Sequence, residues 1–417
     1  MRAALIYFNN DKLISRGVGY VLQCARDAGH DVELLDTVWI GNEGAINQIL
    51  GGEYGAVLLS ATSLYWERAA ATARTIKALL PDVPIILGGA HATVCGGDLL
   101  RSCAAIDYLC VGEGEGFVVE VLDSIERGRN LTNIRNLVYR VGRRVVTNPL
   151  RPPTPLDSLP RFDYEAWNPG SVIRERGNLF PGFCYVFATR GCPYSCTYCC
   201  NSSFLRLYRK GLLRTHCVDT VIAELKHLRD TYPLELAYFG DEMITFDKRF
   251  VAELFTAVHK EVGIPYGCMF RADTVDDDLV DLLRRTGCTY VASGVECGNE
   301  EFRRRWLNRR DSNTQLKAAF RLLRTIPDIW ITTYNMRGFP VSFDNRLTVA
   351  TRRLNNRLRP NHSQMTWFFP LPGTRLYDYC TERDLIDMSL IGSSEDYFRR
   401  SVIRRPIDPS LDTPIYK

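Results

Sequence analysis

Short apolar runs alternate with segments of helical periodicity along most of this 417-residue chain. Near the N-terminus, Val18, Val21, Leu22 and Ala25 recur at helical spacing between two apolar runs, and Gly29 ends the predicted helix. Strands that alternate with helices in this rhythm form a parallel sheet. We therefore predict an α/β fold that begins with a doubly wound parallel sheet, whose strands are residues 3–8, 32–35, 56–60, 84–87 and 106–111.

A second alternating region follows a proline-rich segment. Residues 148–167 contain five prolines, which cannot continue a helix or a central strand, so we predict a linker there. The strands predicted beyond it are residues 185–189, 236–239, 267–270, 290–295, 330–336 and 363–369. Six such units form a partial (β/α)6 barrel, shorter than the closed eight-unit form. The predicted domains are 1–140, a linker at 141–175, a barrel at 176–370 and a C-terminal extension at 371–417.

Composition narrows the class of protein. A hydrophobic content of 46% supports a soluble globular protein, and a net charge of +4 is too small and dispersed to predict a nucleic-acid surface. The apolar run at the N-terminus is too short for a signal peptide, and no stretch is long enough to span a membrane. We expect a cytoplasmic protein whose 14 cysteines stay reduced, so that clustered cysteines indicate metal chemistry.

Three cysteines follow the first predicted strand of the barrel. Cys192, Cys196 and Cys199 form a CxxxCxxC loop, which can hold three irons of a cubane 4Fe-4S cluster and leave the fourth iron without a protein ligand. That iron can chelate the amino and carboxylate groups of S-adenosylmethionine (SAM). The alternative is a zinc site completed by Cys200 or Cys184, although structural zinc ribbons use paired CxxC units. We expect the side chain of Cys200 to point away from that of Cys199.

The loop, with Tyr198 before its last cysteine, resembles the signature of the radical SAM superfamily. The later segment 370–374 (PLPGT) is typical of members with an N-terminal cobalamin-binding domain. The resemblance implies that residues just beyond the barrel strands contact SAM. The alternative for the acidic residues among them is that each is a solvated loop carboxylate. Arg271 could pair with one of these acids. The implied SAM contacts are Gly240, Asp241, Glu242, Arg271 and Glu296.

Small residues at the carboxyl ends of the N-terminal strands resemble the loops that hold cobalamin in this subfamily. The implied cobalamin-contacting residues are Ser60, Gly88, Gly89 and His91. The DxHxxG motif that supplies an axial histidine elsewhere is missing, and we expect His91 to be hydrogen-bonded within its loop instead of ligating cobalt. Cobalamin is therefore a possible cofactor, and the alternative is a domain that has lost it and serves as a lid.

The resemblance implies that SAM is cleaved to a 5'-deoxyadenosyl radical, which abstracts hydrogen from a substrate carbon. In its compact C-terminal part, its missing axial histidine and its arginine-rich composition, the chain resembles the radical SAM diol dehydratases of aminoglycoside biosynthesis. We therefore expect radical dehydration of a hydroxylated, sugar-like small molecule in secondary metabolism such as antibiotic biosynthesis. Tyr334, Asn335 and His216 are the candidates for the acid and base that this lyase reaction needs. The alternative is a cobalamin-dependent radical SAM C-methyltransferase.

Two other classes of protein fit the sequence less well. A transfer-RNA methylthiotransferase needs a second cysteine triad and an RNA-binding module, and neither is visible. A scaffold has no reason to keep a ligand-deficient cysteine loop. The expected partners are the small-molecule substrate, an electron donor such as flavodoxin or ferredoxin, and a nicotinamide-dependent reductase for a ketone product. No nucleic acid or membrane is expected to take part.

Overall fold

A computed structural model describes residues 1–175, 182–209, 212–341, 345–387, 390 and 400–404. The chain divides into two compact units, the first comprising Met1–Val172 and the second beginning at Ile173. Within the described ranges we find no helix with the length and apolar character that a membrane span requires.

The first unit is a sheet flanked by helices. Its strands are β1 (Arg2–Tyr7), β2 (Asp31–Asp36), β3 (Ala56–Ser60), β4 (Ile85–Gly88), β5 (Tyr108–Cys110), β6 (Leu137–Val141) and β7 (Arg144–Thr147). Its helices are α1 (Arg16–Asp27), α2 (Thr37–Gly51), α3 (Trp66–Leu79), α4 (Gly89–Cys95), α5 (Asp98–Ser102), α6 (Glu115–Glu126) and α7 (Pro169–Val172). The strand order is β2-β1-β3-β4-β5-β6-β7.

The parallel part of this sheet agrees with the sequence pattern. Strands β1 to β5 pair in parallel, and local capping defines helix starts, as where the hydroxyl of Ser15 accepts a hydrogen bond from the backbone of Val18. The predicted doubly wound sheet is confirmed. Strands β6 and β7 add an antiparallel hairpin that we had not predicted.

The segment predicted as a linker packs into the first unit. The side chains of Phe162, Tyr164 and Trp167 are buried there. A Cβ atom on Gly19 would lie 2.2 Å from the ring of Phe162, so helix α1 needs glycine at this point to receive that ring. The prolines thus prevent regular structure without preventing burial, and the compact unit extends to Val172.

The second unit contains a six-stranded parallel sheet within its described residues, in the order β15-β14-β13-β12-β11-β8. The strands of this unit are β8 (Phe183–Val186), β9 (Thr189–Arg190), β10 (Arg214–Thr215), β11 (Leu236–Phe239), β12 (Tyr266–Met269), β13 (Cys288–Glu296), β14 (Trp330–Arg337) and β15 (His362–Trp367). Its helices are α8 (Asn201–Tyr208), α9 (Val218–Thr231), α10 (Lys248–Ala257), α11 (Asp277–Arg285), α12 (Glu300–Trp306), α13 (Asn313–Leu323), α14 (Arg346–Leu358) and α15 (Arg375–Glu382). The predicted partial barrel is confirmed.

Alternation along the strands separates the helix-facing side of this sheet from the barrel interior. Phe239 of β11 contacts Phe255 of α10, with ring centroids 5.5 Å apart. Its neighbour Tyr238 points the opposite way and contacts Tyr185 and Tyr290, at 5.1 and 5.4 Å between ring centroids. A Cβ atom on Gly267 would lie only 3.0 Å from the side chain of Tyr290. The interior is therefore lined with tyrosines that a glycine in β12 accommodates.

Candidate functional site

The cysteine loop begins at the carboxyl end of the first barrel strand. The short strand β9 follows the first barrel strand, β8, and leads into the loop. Gly191 forms the turn between β9 and Cys192. That residue has a φ of +99°, and a Cβ atom there would lie 2.3 Å from the carbonyl oxygen of Leu212. Only glycine fits this conformation and this close approach. The backbone therefore directs the three cysteines to the edge of the barrel where ligands of such folds bind.

The spacing of the thiols tests which metal group the loop fits. Zinc bonds of about 2.3 Å in a tetrahedral site bring sulfur ligands within about 4 Å of one another. Among the described residues, the group of three or more donors whose ligand atoms all lie within 4.8 Å is His30, Asp123 and Glu126, so the three cysteines are spaced more widely. The three thiols are thus farther apart than the sulfur ligands of a single zinc ion.

The fourth cysteine of the region lies closer than expected. Cys200 forms a hydrogen bond with the thiol of Cys199, which raises the pKa of Cys199 well above its usual range, and burial raises it further. Our expectation that the two side chains point apart is wrong, because the backbone already turns into α8 here. Burial also raises the pKa of Cys192 to about 12, so iron binding must release protons from these thiols.

Residues between the cysteines are anchored by one segment of the chain, at the end of α12. The hydroxyl of Thr197 donates to the carbonyl oxygen of Trp306 at 2.5 Å, and its backbone N–H donates to that of Leu307 at 3.3 Å. The side-chain amide of Asn308 donates to both the carbonyl and hydroxyl oxygens of Ser195, each at 2.9 Å. Hydrogen bonds with residues 306–308 thus fix the conformation of the loop.

Arg309 joins the loop to the end of β13. Its guanidinium donates to the hydroxyl of Tyr198 at 3.3 Å and to the carbonyl oxygen of Gly294 at 2.7 Å, and it pairs with the carboxylate of Glu296 at 3.5 Å. The side chain is buried, so these partners compensate a charge removed from water. Because it contacts the residue between two of the cysteines, Arg309 fixes the loop against the barrel.

Asp311 is the centre of a buried ion network beside the loop. Its fully buried carboxylate lies 3.0 Å from Arg271, 3.4 Å from Arg309 and 3.8 Å from Arg303. Arg271 also pairs with Asp273 at 3.1 Å and stacks 3.7 Å from the ring centroid of Tyr194. The structure therefore places Arg271, an expected SAM contact, in ion pairs and a cation–π contact within the protein.

This network acts electrostatically on the loop. Burial raises the pKa of the Cys196 thiol, whereas the positive charges of Arg309 and Arg271 oppose that rise. Cation charge beside a cysteine favours the thiolate that binds iron. Arg309, Asp311 and Asn308 were not among the predicted site residues, because a run such as RRRWLNRR at 303–310 has the composition of a solvated helix face.

The three acids expected near SAM have different environments. Asp241 is fully buried and accepts hydrogen bonds from the backbone of Ala188 at 3.3 Å and from the backbone and hydroxyl of Thr189 at 2.5 and 2.6 Å. It therefore holds the strand that leads into the cysteine loop. Glu242 is exposed and accepts a hydrogen bond from the backbone of Gly191. Of these acids, Glu242 has the side chain that a ligand at the loop can reach.

Glu296 adopts a φ of +64°, which is strained for a residue with a side chain. Its carboxylate folds back over Gly294, where a Cβ atom would lie 2.1 Å from it. Burial raises the pKa of Glu296, and Arg309 and the hydroxyl of Tyr198 lower it. A strained acid held at a strand end is a feature of functional sites.

Gly240 has a steric role. A Cβ atom at this position would lie 2.9 Å from the ring of Phe187, so the residue must be small.

The three candidate acid and base residues do not share one environment. Tyr334 lies beside Tyr238 on the interior face of the barrel. Asn335 points to the opposite face, where it donates to Thr333 and Ser363 and accepts from Asn355 at 2.9 Å. His216 is buried after β10, and its backbone N–H donates to Ala188. The structure therefore gives Asn335 a packing role and leaves Tyr334 facing the interior.

In the first unit, the expected cobalamin-contacting residues lie at adjacent strand ends. Ser60 of β3 is the register partner of Gly88 of β4. Gly89 has a φ of +89°, and a Cβ atom there would lie 3.0 Å from both the carbonyl oxygen of Ala61 and the hydroxyl of Ser60. This edge therefore presents backbone and small side chains, which fits the approach of a large flat ligand.

His91 is engaged by its own unit. Its Nδ1 atom lies 3.0 Å from the hydroxyl of Ser63, and its ring lies 5.0 Å from that of Trp66. Burial lowers the pKa of His91 to about 4. The side chain is thus neutral and hydrogen-bonded, as we expected, although His91 lies in helix α4 and not in a loop.

Comparison with known protein families identifies both units. Residues 186–349 match the Radical SAM superfamily, and residues 10–122 match the B12 binding domain. The predicted combination of a cobalamin-binding domain and a radical SAM barrel is therefore confirmed. Its cofactors are a 4Fe-4S cluster, SAM and cobalamin.

Individual proteins are similar to this chain over most of its length. An uncharacterized methyltransferase of Pyrococcus horikoshii, PH0819, is 26% identical over 89% of this chain and 79% of its own length. An anaerobic magnesium-protoporphyrin IX monomethyl ester cyclase of Rubrivivax gelatinosus is 26% identical over 62% of this chain, which spans 46% of that relative. The structure of the radical SAM methyltransferase TsrM of Kitasatospora setae, with cobalamin and a [4Fe-4S] cluster bound, has a TM-score of 0.72 at 16% identity and covers 91% of this chain and 76% of that one.

These matches overturn one expectation. PH0819, which aligns along 89% of this chain and 79% of its own length, is named a methyltransferase, and our expectation of a lyase that dehydrates a sugar-like substrate is wrong. It rested on the short C-terminal part, the missing axial histidine and the arginine-rich composition, and these features say little about the reaction at the barrel. The nicotinamide-dependent reductase was expected only for a dehydration product, so it has no further support.

Proposed function

Since the chain is a member of the radical SAM superfamily with an N-terminal B12-binding domain, we propose that it is a cobalamin-dependent methyltransferase acting on a small-molecule substrate. The observation that carries the proposal is the alignment with the PH0819 methyltransferase, which includes both domains. The cysteine loop supports radical SAM chemistry, because its three cysteines lie within eight residues just beyond the first strand of the barrel.

In this proposal, Cys192, Cys196 and Cys199 would hold the 4Fe-4S cluster. Ser60 and Gly89 would contact cobalamin along the edge of the first sheet. When bound, the cluster and SAM supply radical chemistry and cobalamin carries the methyl group to be transferred. The protein's part is to position these groups and to exclude water from them.

The side chains around the loop have separate roles. The exposed carboxylate of Glu242 would accept hydrogen bonds from the amino group of SAM, since it lies at the loop and is accessible. Arg309 and Asp241 would act indirectly, because they hold the loop and the strand before it in position. Tyr334 would contact the substrate from the interior of the barrel. The electron would come from a protein such as flavodoxin or ferredoxin.

The proposal is tested by anaerobic reconstitution with iron, sulfide and cobalamin, followed by incubation with a reductant and SAM that carries a deuterated methyl group. We expect bound corrinoid in the absorption spectrum and S-adenosylhomocysteine that forms only when cobalamin is supplied. With candidate substrates, mass spectrometry should show gain of the labelled methyl group.

The control is the Cys192→Ala variant, in which labelled product and 5'-deoxyadenosine should both disappear because the cluster loses a ligand. Cys217→Ala, at an exposed cysteine away from the loop, should behave as wild type. A product lighter by one water without S-adenosylhomocysteine, or a reconstituted protein that takes up no corrinoid, would refute the assignment.

A further inference from the structure

Arg337, the last residue of β14, differs from the arginines near the cysteine loop. Arg271, Arg303 and Arg309 each lie within 4 Å of a carboxylate. Arg337 has no such partner among the described residues, and its buried Nε–H has no hydrogen-bond acceptor. A buried donor without an acceptor costs about 1–3 kcal/mol, so a charged one needs an explanation.

A second unpaired donor lies beside it. Trp367 ends β15 and is the register partner of Arg337, whose guanidinium carbon lies 4.2 Å from the centroid of the indole ring. The indole Nε1–H is also buried and, within the described part of the chain, has no acceptor. Two neighbouring strand ends therefore present two unsatisfied N–H donors and one uncompensated positive charge.

The ring is fixed in this position. Gly338 has a φ of +71°, and a Cβ atom there would lie 2.5 Å from the indole ring of Trp367. The ring thus packs against the backbone on one side and the guanidinium of Arg337 on the other. Stacking of this kind holds a guanidinium in place and leaves its edge available for a planar acceptor.

The pair lies at the carboxyl ends of β14 and β15. Met336, which precedes Arg337, and Tyr198 pack against a hydrophobic group that contains Phe368, which follows Trp367. Because side chains alternate along a strand, Arg337 and Trp367 project from the opposite face, which Asn335 shares. The unpaired donors therefore lie outside the group that supports the cysteine loop.

We propose that Arg337 and Trp367 form an anion-binding site that holds an acidic group of a ligand, a carboxylate or a phosphate. The guanidinium supplies the charge and its Nε–H, and the indole supplies a neutral donor. The inference does not rest on the proposed function, and anion binding can be measured without SAM or cobalamin.

The experiment uses the full chain and two simple probes, inorganic phosphate and acetate, at constant ionic strength. Binding is followed by isothermal calorimetry and by tryptophan fluorescence. We expect saturable binding of at least one probe to the wild type, and Arg337→Gln should weaken it about tenfold because a charged hydrogen bond is lost. Trp367→Phe should weaken binding and remove the fluorescence change. Arg305→Gln, at an exposed ion pair with Glu301, should stay within about twofold of wild type.

The relative affinity for the two probes identifies the acidic group, since tighter phosphate binding indicates a phosphorylated ligand and tighter acetate binding a carboxylic acid. The inference is overturned if the wild type binds neither probe, or if Arg337→Gln binds as the wild type does. Should Arg337→Gln fail to fold, Arg337→Lys keeps the charge without the Nε–H and should still bind more weakly. Failure of methyl transfer in the reconstituted enzyme would leave these binding results unchanged, so the two proposals fail separately.

Discussion

At the scale of single residues, the environment of the cysteine loop depends on charges that are far away in the sequence. Asp311 lies between three arginines and is fully buried, and Arg309 carries this network to the hydroxyl of Tyr198. A buried ion pair is strongly destabilised when one partner is removed, because the other charge is left without compensation. The network therefore gives the loop a rigid and electropositive support.

Replacing Arg309 with glutamine should destabilise the protein by about 3 kcal/mol, the cost of breaking a buried ion pair. The iron content after reconstitution should fall as well, because Tyr198 and the neighbouring Cys196 lose the positive charge that supports them. Unfolding in urea and iron analysis measure the two effects. Arg305→Gln, on the exposed face of α12, is the matched control.

Arg309→Lys should recover part of the stability, since it keeps the charge but cannot reach Tyr198, Glu296 and the carbonyl oxygen of Gly294 together. If Arg309→Gln unfolds at the urea concentration of the wild type and binds as much iron, Arg309 has no supporting role.

At the scale of elements, the ends of two adjacent strands are joined through one side chain. Asp241, just beyond β11, accepts three hydrogen bonds from Ala188 and Thr189, which lie between β8 and the cysteine loop. Burial raises the pKa of Asp241 to about 7, and these donors lower it. The contact aligns the start of the loop with the neighbouring strand.

Asp241→Asn should lower the free energy of unfolding by about 1–3 kcal/mol, because an amide nitrogen would face a donor and leave it unsatisfied. Reconstitution of the cluster should also become less complete, since the strand before the loop loses its anchor. The exposed Asp328, whose φ of +54° asparagine tolerates, provides the control Asp328→Asn. Equal stability and equal iron content in both variants would show that the contact is dispensable.

At the scale of the whole molecule, one buried histidine makes the stability of the first unit depend on pH. In the first unit, burial lowers the pKa of His91 from 6.5 to about 4. The unfolded state therefore binds a proton between these values where the folded state does not. The contribution of the neutral imidazole to stability is complete above pH 6.5 and is lost as the pH falls toward 4.

We therefore expect the unfolding free energy of the wild type to fall more steeply between pH 6.5 and 4 than that of His91→Gln, which cannot titrate there. Urea unfolding followed by circular dichroism at several pH values measures the difference. His259→Gln, at an exposed histidine of the second unit, should keep the slope of the wild type. Parallel curves for His91→Gln and wild type would show that His91 is protonated equally in both states.

What the sequence determined by itself is local. Apolar periodicity predicted the strands of both sheets within a few residues, because the alternation of buried side chains is recorded in consecutive positions. The spacing of Cys192, Cys196 and Cys199 predicts a cluster site, because three ligands within eight residues need no other part of the fold. The hairpin of β6 and β7 was missed, since those short strands lie next to prolines and have weak alternation.

Only the tertiary structure decided which distant side chains meet. Segment 306–311 contacts the cysteine loop although more than a hundred residues separate the two in the sequence. Its arginine-rich composition is typical of an exposed helix face, but the fold buries Arg309 beside Asp311. Asn335 and Tyr334 are adjacent in the sequence, yet alternation along β14 sends one into a packing network and the other into the barrel. Arg337 and Trp367 become neighbours only because β14 and β15 pair in parallel. Pairing and burial are long-range properties, and no local pattern encodes them.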